Sequence, residues 1–183
     1  MQISRLGFTG ELGYELLLPI EATPRLWAAL VQAGTPLGLR PAGGAALITA
    51  RVEAGLIMGD LEYDETSTPW EYRMGWAVDL AKPDFQGKEA PSDSRAVAGR
   101  TIVSIAFPEG SDGLDGAELI VAGRGVGHVS MAAVSPVLQG RMLGLARIEW
   151  GFAVIGTELS AEGVVGEVVS MPVHDPERRR TRE

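Results

Sequence analysis

Cysteine is absent from all 183 residues. That excludes a disulfide framework, a zinc–cysteine site, iron–sulfur ligation and thiol catalysis. Histidine is nearly absent: His128 and His174 stand far apart, without the close pairing that metal ligation by two histidines uses. Cationic side chains are outnumbered, with 16 Lys and Arg against 24 Asp and Glu, a formal charge of −8 and a pI near 4.8. A chain so acidic lacks the basic face that nucleic acid requires. Apolar runs stay far below the roughly 20 residues of a membrane helix, and Met1–Arg5 lacks the hydrophobic stretch of a signal peptide. The expectation is a cytoplasmic protein.

What the chain does have is 45% apolar residues, enough for a real core, in a length suited to one domain or two small ones. The densest punctuation lies at the start. Arg5-Leu6-Gly7-Phe8-Thr9-Gly10-Glu11-Leu12-Gly13-Tyr14-Glu15 holds three glycines, two aromatics and two carboxylates in eleven residues, followed by the apolar Leu16-Leu17-Leu18. The pattern predicts a hairpin of strand Ile3–Phe8, a turn at Thr9–Glu11 and a buried strand Leu12–Pro19. Alternation along that second strand puts Tyr14 toward the core and Glu15 on the opposite face. By spacing alone, the structural reading leads and Glu15 is a surface charge on that hairpin.

Thr23-Pro24 reads as a helix start, with Leu26, Trp27, Leu30 and Val31 at helical spacing and Gly34 as the stop. A second helix is expected from Pro41 to about Ala54. Gly43, Gly44, Ala45, Ala46, Ala50 and Ala54 leave it so little bulk that another group can pack close to its axis. Leu47 and Arg51 share a face. Residues 56–69 form an acidic loop and Met74–Leu80 a strand; a charged loop at 82–88 and a linker at 91–99 follow. Beyond it, Arg100–Phe107, Ala117–Ala122, Gly125–Met131, Met142–Glu149 and Val164–Val169 are short apolar runs between glycine and proline turns, the signature of a β-barrel or sandwich. The chain therefore divides into an α+β part, 1–90, and an all-β part, 100–176, with a charged tail at 177–183.

Most chemistry-bearing residues have plain structural readings. His128 sits in a predicted strand with a packing or surface role. Asp60, Glu62, Asp64 and Glu65 alternate as calcium ligands can, but lack the glycine and terminal glutamate of an EF-hand loop, and read as a solvated acidic loop. Gly123-Arg124-Gly125-Val126-Gly127 opens no helix and reads as a hairpin turn, and Ser135 has no nearby histidine in the sequence to activate it. Arg51 carries a planar five-donor fork suited to a carboxylate ligand. A salt bridge to Glu53, Glu15 or an acidic-loop residue accounts for it equally well.

Six segments in order resemble the aminomethyltransferases, the T-protein of the glycine cleavage system and its relatives. Arg5–Glu15 resembles the family's Arg-x-Gly-Tyr-Thr-Gly-Glu-x-Gly-aromatic-Glu. Arg51-Val52-Glu53-Ala54-Gly55-Leu56 resembles Arg-Leu-Glu-Ala-Gly-Leu. The spacing of Gly59, Asp64, Thr68-Pro69 and Trp76-x-Val78, then Asp84-Phe85-x-Gly87-Lys88, continues the match. Val126–Ser130 with Ser135-Pro136, and Met171-Pro172-Val173-x-Asp175-Pro176, complete it.

The resemblance implies an α+β folate-binding domain, here truncated, followed by a small antiparallel β-barrel, with tetrahydrofolate as the ligand. It implies a pterin-holding role for Glu15, whose carboxylate can accept a charge-assisted pair of hydrogen bonds from an aminopyrimidine edge. It also implies a ring-packing role for Phe8, where the family's tyrosine hydroxyl is lost, and a ligand-facing role for Arg51. The implied partners are a one-carbon donor, either an amine or an aminomethyl-lipoyl carrier protein, and a polypeptide or second copy completing the domain. Relatives are about twice as long, and their N-terminal half carries the catalytic acid, so no catalytic residue is assigned in this chain. Glycine-cleavage enzymes have a folate-contacting arginine where this chain has Leu47. Folate domains fused to sarcosine- and dimethylglycine-oxidising enzymes often have leucine there. The iron–sulfur-assembly branch carries a cysteine signature that this chain cannot match. The function implied is the C-terminal half of a tetrahydrofolate-dependent one-carbon transferase. The alternative is a non-catalytic folate-binding or structural subunit of a split transferase.

Overall fold

The structure, a computed structural model, describes residues 1–88 and 99–180. Its best-packed part is a closed antiparallel barrel of six strands: β3 (Arg100–Phe107), β4 (Glu118–Val121), β5 (Arg124–Val134), β6 (Met142–Glu149), β7 (Glu158–Ala161) and β8 (Val164–Val169). The strand order is β3-β6-β5-β4-β7-β8, with β8 returning to pair with β3. The longest register runs from Arg100↔Glu149 to Phe107↔Met142 without interruption.

Strand β3 is buried from Thr101 to Phe107 because both of its faces are covered. Val103, Ile105 and Phe107 point inward, to a core shared with Leu119, Val126, Val129, Ala146 and Ile148. Ile102 points outward and packs with Leu143, Leu145, Val52 and Tyr72. A strand buried on two sides reads as a continuous apolar run rather than an alternating one. The β4–β5 turn uses left-handed backbone at both Ala122 (φ 49°) and Gly123 (φ 77°), the geometry that matches the twist of a two-residue hairpin. Strand β7 is the one barrel strand the sequence pattern missed; Glu158-Leu159-Ser160-Ala161 is too short and too polar to announce itself.

The rest of the chain is α+β and less packed. Strands β1 (Gln2–Ser4) and β2 (Glu15–Leu17) pair antiparallel, Ser4 opposite Glu15. The predicted hairpin is thus present only at its base. Residues 5–14 form a long loop instead of strand and tight turn, because Gly10 turns into left-handed backbone (φ 77°) and is packed against α2. The predicted burial is corrected as well: Tyr14 is 62% exposed and Leu17 is exposed, since the two-stranded sheet has no second layer over it among the described residues.

Helix α1 (Thr23–Gly34) opens on Pro24, as its sequence predicts, yet none of its residues is buried. Helix α2 (Gly44–Glu53) starts three residues later than Pro41 and buries its last turn, Arg51, Val52 and Glu53. The strand expected at Met74–Leu80 is not formed. Thr68 and Glu71 close a capping box on a 3₁₀ turn at Pro69–Tyr72, and a second turn covers Gly75–Ala77. The amides of Met74, Ala77 and Val78 are spent on the carbonyls of Pro69, Met74 and Gly75, which leaves no ladder to build. The linker expected at 91–99 lies, but for Gly99, outside the described residues.

Candidate functional site

Three segments meet at the C-terminal end of α2. The opening loop lays Gly10 so close to Ala54 that a Cβ there would come within 2.5 Å of the alanine methyl. A strap after the barrel, turning through a cis Met171–Pro172 bond, hands two backbone amides, those of Val173 and His174, to the Glu53 carbonyl at 3.0 Å each. Loop and strap are then joined directly: Glu11 Oε1 lies 2.7 Å from His174 Nε2 and 3.1 Å from Arg180 Nη1. A small cavity of about 70 Å³ remains between Gly10, Ala54, Leu56, Pro172 and His174.

Beyond this junction the small-residue start of α2 opens into a concavity of about 410 Å³, lined by Thr9, Ala42, Gly43, Gly44, Ala46 and Leu47. Thr9 brings the opening loop to this hollow, and its neighbour Phe8 is half-buried. Leu47, 40% exposed, presents an alkyl side chain to this hollow. Glu15 is exposed at the head of β2, and its carboxylate has no hydrogen bond or ion pair among the described residues. Phe8 thus lies in the opening loop and Glu15 at the strand residue that ends it, while Thr9 of that loop shares the lining of the hollow with Leu47.

Arg51 is elsewhere. Its side chain has no exposed surface, and its fork is engaged by Glu62 at 3.1 and 3.3 Å and by the Leu56 carbonyl at 2.9 Å. Of the two readings open from the sequence, the structure has the salt bridge to an acidic-loop residue; a guanidinium sealed in this way offers nothing to a ligand. The acidic loop is corrected with it, because Glu62 is buried rather than solvated. Glu62 also accepts the Met58 amide at 2.7 Å and lies 2.9 Å from the Ser130 hydroxyl. Ser130 falls where the β5–β6 register slips between Val129 and Met131, and such a bulge re-aims a side chain.

The adjoining Glu53 is a second buried anchor. Its carboxylate accepts the Ser135 hydroxyl at 2.6 Å and the Val137 amide at 2.9 Å, tying α2 to the loop after β5. Sequence reasoning missed the roles of Glu53, Glu62 and Ser130. The available signal was that Arg51, Glu53 and Glu62 lie on a stretch otherwise rich in small and apolar residues, where unpaired charge is costly.

A second hollow, about 380 Å³, is walled by Ile57, Tyr63, Ser67, Thr68, Tyr72 and Met74. Tyr63 and Tyr72 meet edge to face at 5.8 Å, and the Arg147 guanidinium lies 5.8 Å over the Tyr72 ring while pairing with Glu71. Burial pushes the Tyr72 hydroxyl up. For Glu71, burial also pushes up, but the Thr68 amide and the Arg147 guanidinium outweigh it and hold the carboxyl below its ordinary range. His128 is pushed down by burial, with Arg100 and Arg147 adding to it, which favours its neutral form.

Residues 1–82 match the family model described as the GCVT N-terminal domain. Curated relatives named aminomethyltransferase include those of Clostridium botulinum (strain Okra / Type B1), 38% identical over 161 residues, and Desulforamulus reducens, 36% identical over 160. A third, from Chloroherpeton thalassium, is 32% identical over 158 residues. Each alignment covers 86% of this chain and 43% of the relative, so the chain spans less than half the length of the curated relatives it matches. Among solved structures, the glycine cleavage system aminomethyltransferase T of Bartonella henselae superposes with a TM-score of 0.84 at 27% identity, covering 95% of this chain and 50% of that one.

Proposed function

The chain belongs to the aminomethyltransferase family, and from that premise we propose that it is the C-terminal half of a tetrahydrofolate-dependent one-carbon transferase. In this reading residues 1–90 are the closing part of the folate-binding domain and residues 100–176 the barrel that follows it. The half of the relatives that this chain does not match supplies the catalytic acid and the other wall of the pocket. Tetrahydrofolate, when bound, accepts the one-carbon group from an amine or an aminomethyl-lipoyl carrier protein.

The observation that carries the reading is Glu15: an exposed carboxylate without a partner among the described residues, at the end of a motif whose loop is otherwise pinned. Such a group is available to grip a pterin's amino and ring N–H edge, and it binds rather than transfers protons. Phe8 packs on the ligand's flat ring system from the same loop. Arg51 acts at one remove, by holding the loop from Leu56 to Glu62. Leu47 makes the concavity at α2 apolar where glycine-cleavage enzymes carry arginine, which favours the amine-demethylating relatives as the nearer functional kin.

Titration calorimetry with tetrahydrofolate tests the assignment. Glu15→Ala is expected to weaken binding by at least ~1.5 kcal/mol, roughly a factor of twelve. An unchanged affinity removes Glu15 from the site.

The runner-up is a non-catalytic folate-binding or structural subunit that completes a split transferase. It is favoured by the exposed apolar side chains of residues 1–40, among them Ile3, Leu17, Ile20, Trp27 and Leu37. No binding of tetrahydrofolate by the chain alone, with binding restored on adding a polypeptide equivalent to the relatives' other half, is the outcome that reading expects.

A further inference from the structure

The junction of opening loop, α2 and strap joins residues 163 positions apart in sequence through one carboxylate, and the folate reading of Glu15 leaves that contact unused. Three features make it a built contact. His174 is partly buried, and its backbone is fixed independently, since its own amide and that of Val173 are both bound to the Glu53 carbonyl at 3.0 Å. Glu11 also receives a guanidinium, that of Arg180, whose backbone amide is in turn held by Asp175 at 2.9 Å. The loop on the other side of Glu11 is seated at Gly10, which touches Ala54 with no room for a side chain. Within the loop, the Glu11 amide leans on the Thr9 hydroxyl at 3.4 Å, and Thr9 lines the concavity.

From this we infer that His174, seconded by Arg180, is a positioning residue for the ligand site: by gripping Glu11 it sets the shape of loop 5–14 and so the placement of Phe8 and Glu15. The strap after the barrel thereby belongs to the site without touching the ligand. A loop with three glycines in ten residues has a large entropy to lose, and a ligand binding to an unfastened loop must supply that ordering itself. The inference rests on the folate reading for its ligand and on geometry alone for the latch, so the two are tested separately.

Hydrogen exchange followed by mass spectrometry on the full chain reads the latch. In His174→Ala, exchange across residues 5–14 is expected to rise at least fivefold while strands β3 and β6 keep their protection. Glu11→Gln is expected to give the same pattern, the double variant no more than either single one, and His174→Gln, which retains a donor, to recover most of the protection. Unchanged exchange in residues 5–14 overturns the proposal, and so does additive loosening in the double variant. If His174→Ala loosens the barrel as well, Glu11→Gln decides by the same criterion. In the second arm, the tetrahydrofolate dissociation constant is expected to rise at least fivefold in Glu11→Gln at an unaltered melting temperature. An unaltered constant overturns the positioning role. A parent chain that does not bind tetrahydrofolate removes the folate reading, and the exchange experiment then stands as the test of the latch.

Discussion

Buried charge decides how this chain is held together at the scale of single residues. Arg51 and Glu62 are both sealed from solvent, and each carries further hydrogen bonds, to the Leu56 carbonyl and from the Met58 amide. Removing one partner leaves an uncompensated charge in a low-dielectric site, a loss of about 3–5 kcal/mol. Glu62→Ala is therefore expected to shift the urea midpoint far more than Glu65→Ala, an exposed neighbour on the same loop. Gly10 is the steric counterpart. Gly10→Ala meets both left-handed backbone and the Ala54 methyl and is expected to cost roughly 1–3 kcal/mol. A Gly10→Ala/Ala54→Gly pair that recovers part of that cost would separate the clash from the backbone strain.

At the scale of elements, the 3₁₀ turn Pro69–Tyr72 is fastened to β6 by Glu71 and Arg147, and that fastening depends on pH. The Glu71 carboxyl is held below its ordinary value of 4.5. Its contribution is thus fully present above that pH and is lost as the pH falls through the lowered folded value. Melting temperature measured downward from pH 5 should fall less steeply in Glu71→Gln than in the parent. Arg147 itself stays charged throughout, its pKa raised by Glu71 against the pull of burial. How legible these elements were follows from what each one packs against. Barrel strands β3 and β6 were readable because each is a mostly apolar run bounded by turn residues, whereas β7 was not. Strand Met74–Leu80 was misread because Trp76 and Val78 have strand propensity, whereas the Thr68–Glu71 capping box commits the segment to local turns. Burial of Glu62 was signalled only by its place on a stretch rich in small and apolar residues, and exposure of Tyr14 depends on what layers lie over the sheet, which its own segment does not encode. The proposal of Glu15 and Phe8 as ligand residues came from a motif. The latch on Glu11 needed coordinates.

Across the whole molecule, packing is lopsided. The barrel has a sealed core, while α1 buries nothing and leaves Trp27 57% exposed. No helix among the described residues is long and apolar enough to cross a membrane. An isolated two-stranded sheet is marginal in water, and large exposed apolar patches mark interaction surfaces. Sedimentation velocity of the chain alone is expected to show concentration-dependent association. Trp27→Glu with Leu30→Lys should suppress it without lowering the barrel's melting temperature, and an equal loss of barrel stability would assign α1 to the core instead.

The closure of β8 onto β3 pairs Ser104 with Val169, only four residues beyond the start of the first barrel strand. Entry and exit of the barrel therefore lie side by side at one end. A module plugged in through two adjacent leads can be excised and exchanged without re-threading its host. Barrels from relatives should be transplantable into this chain between residues 99 and 170, provided the graft brings a serine for Glu62 and a serine for Glu53.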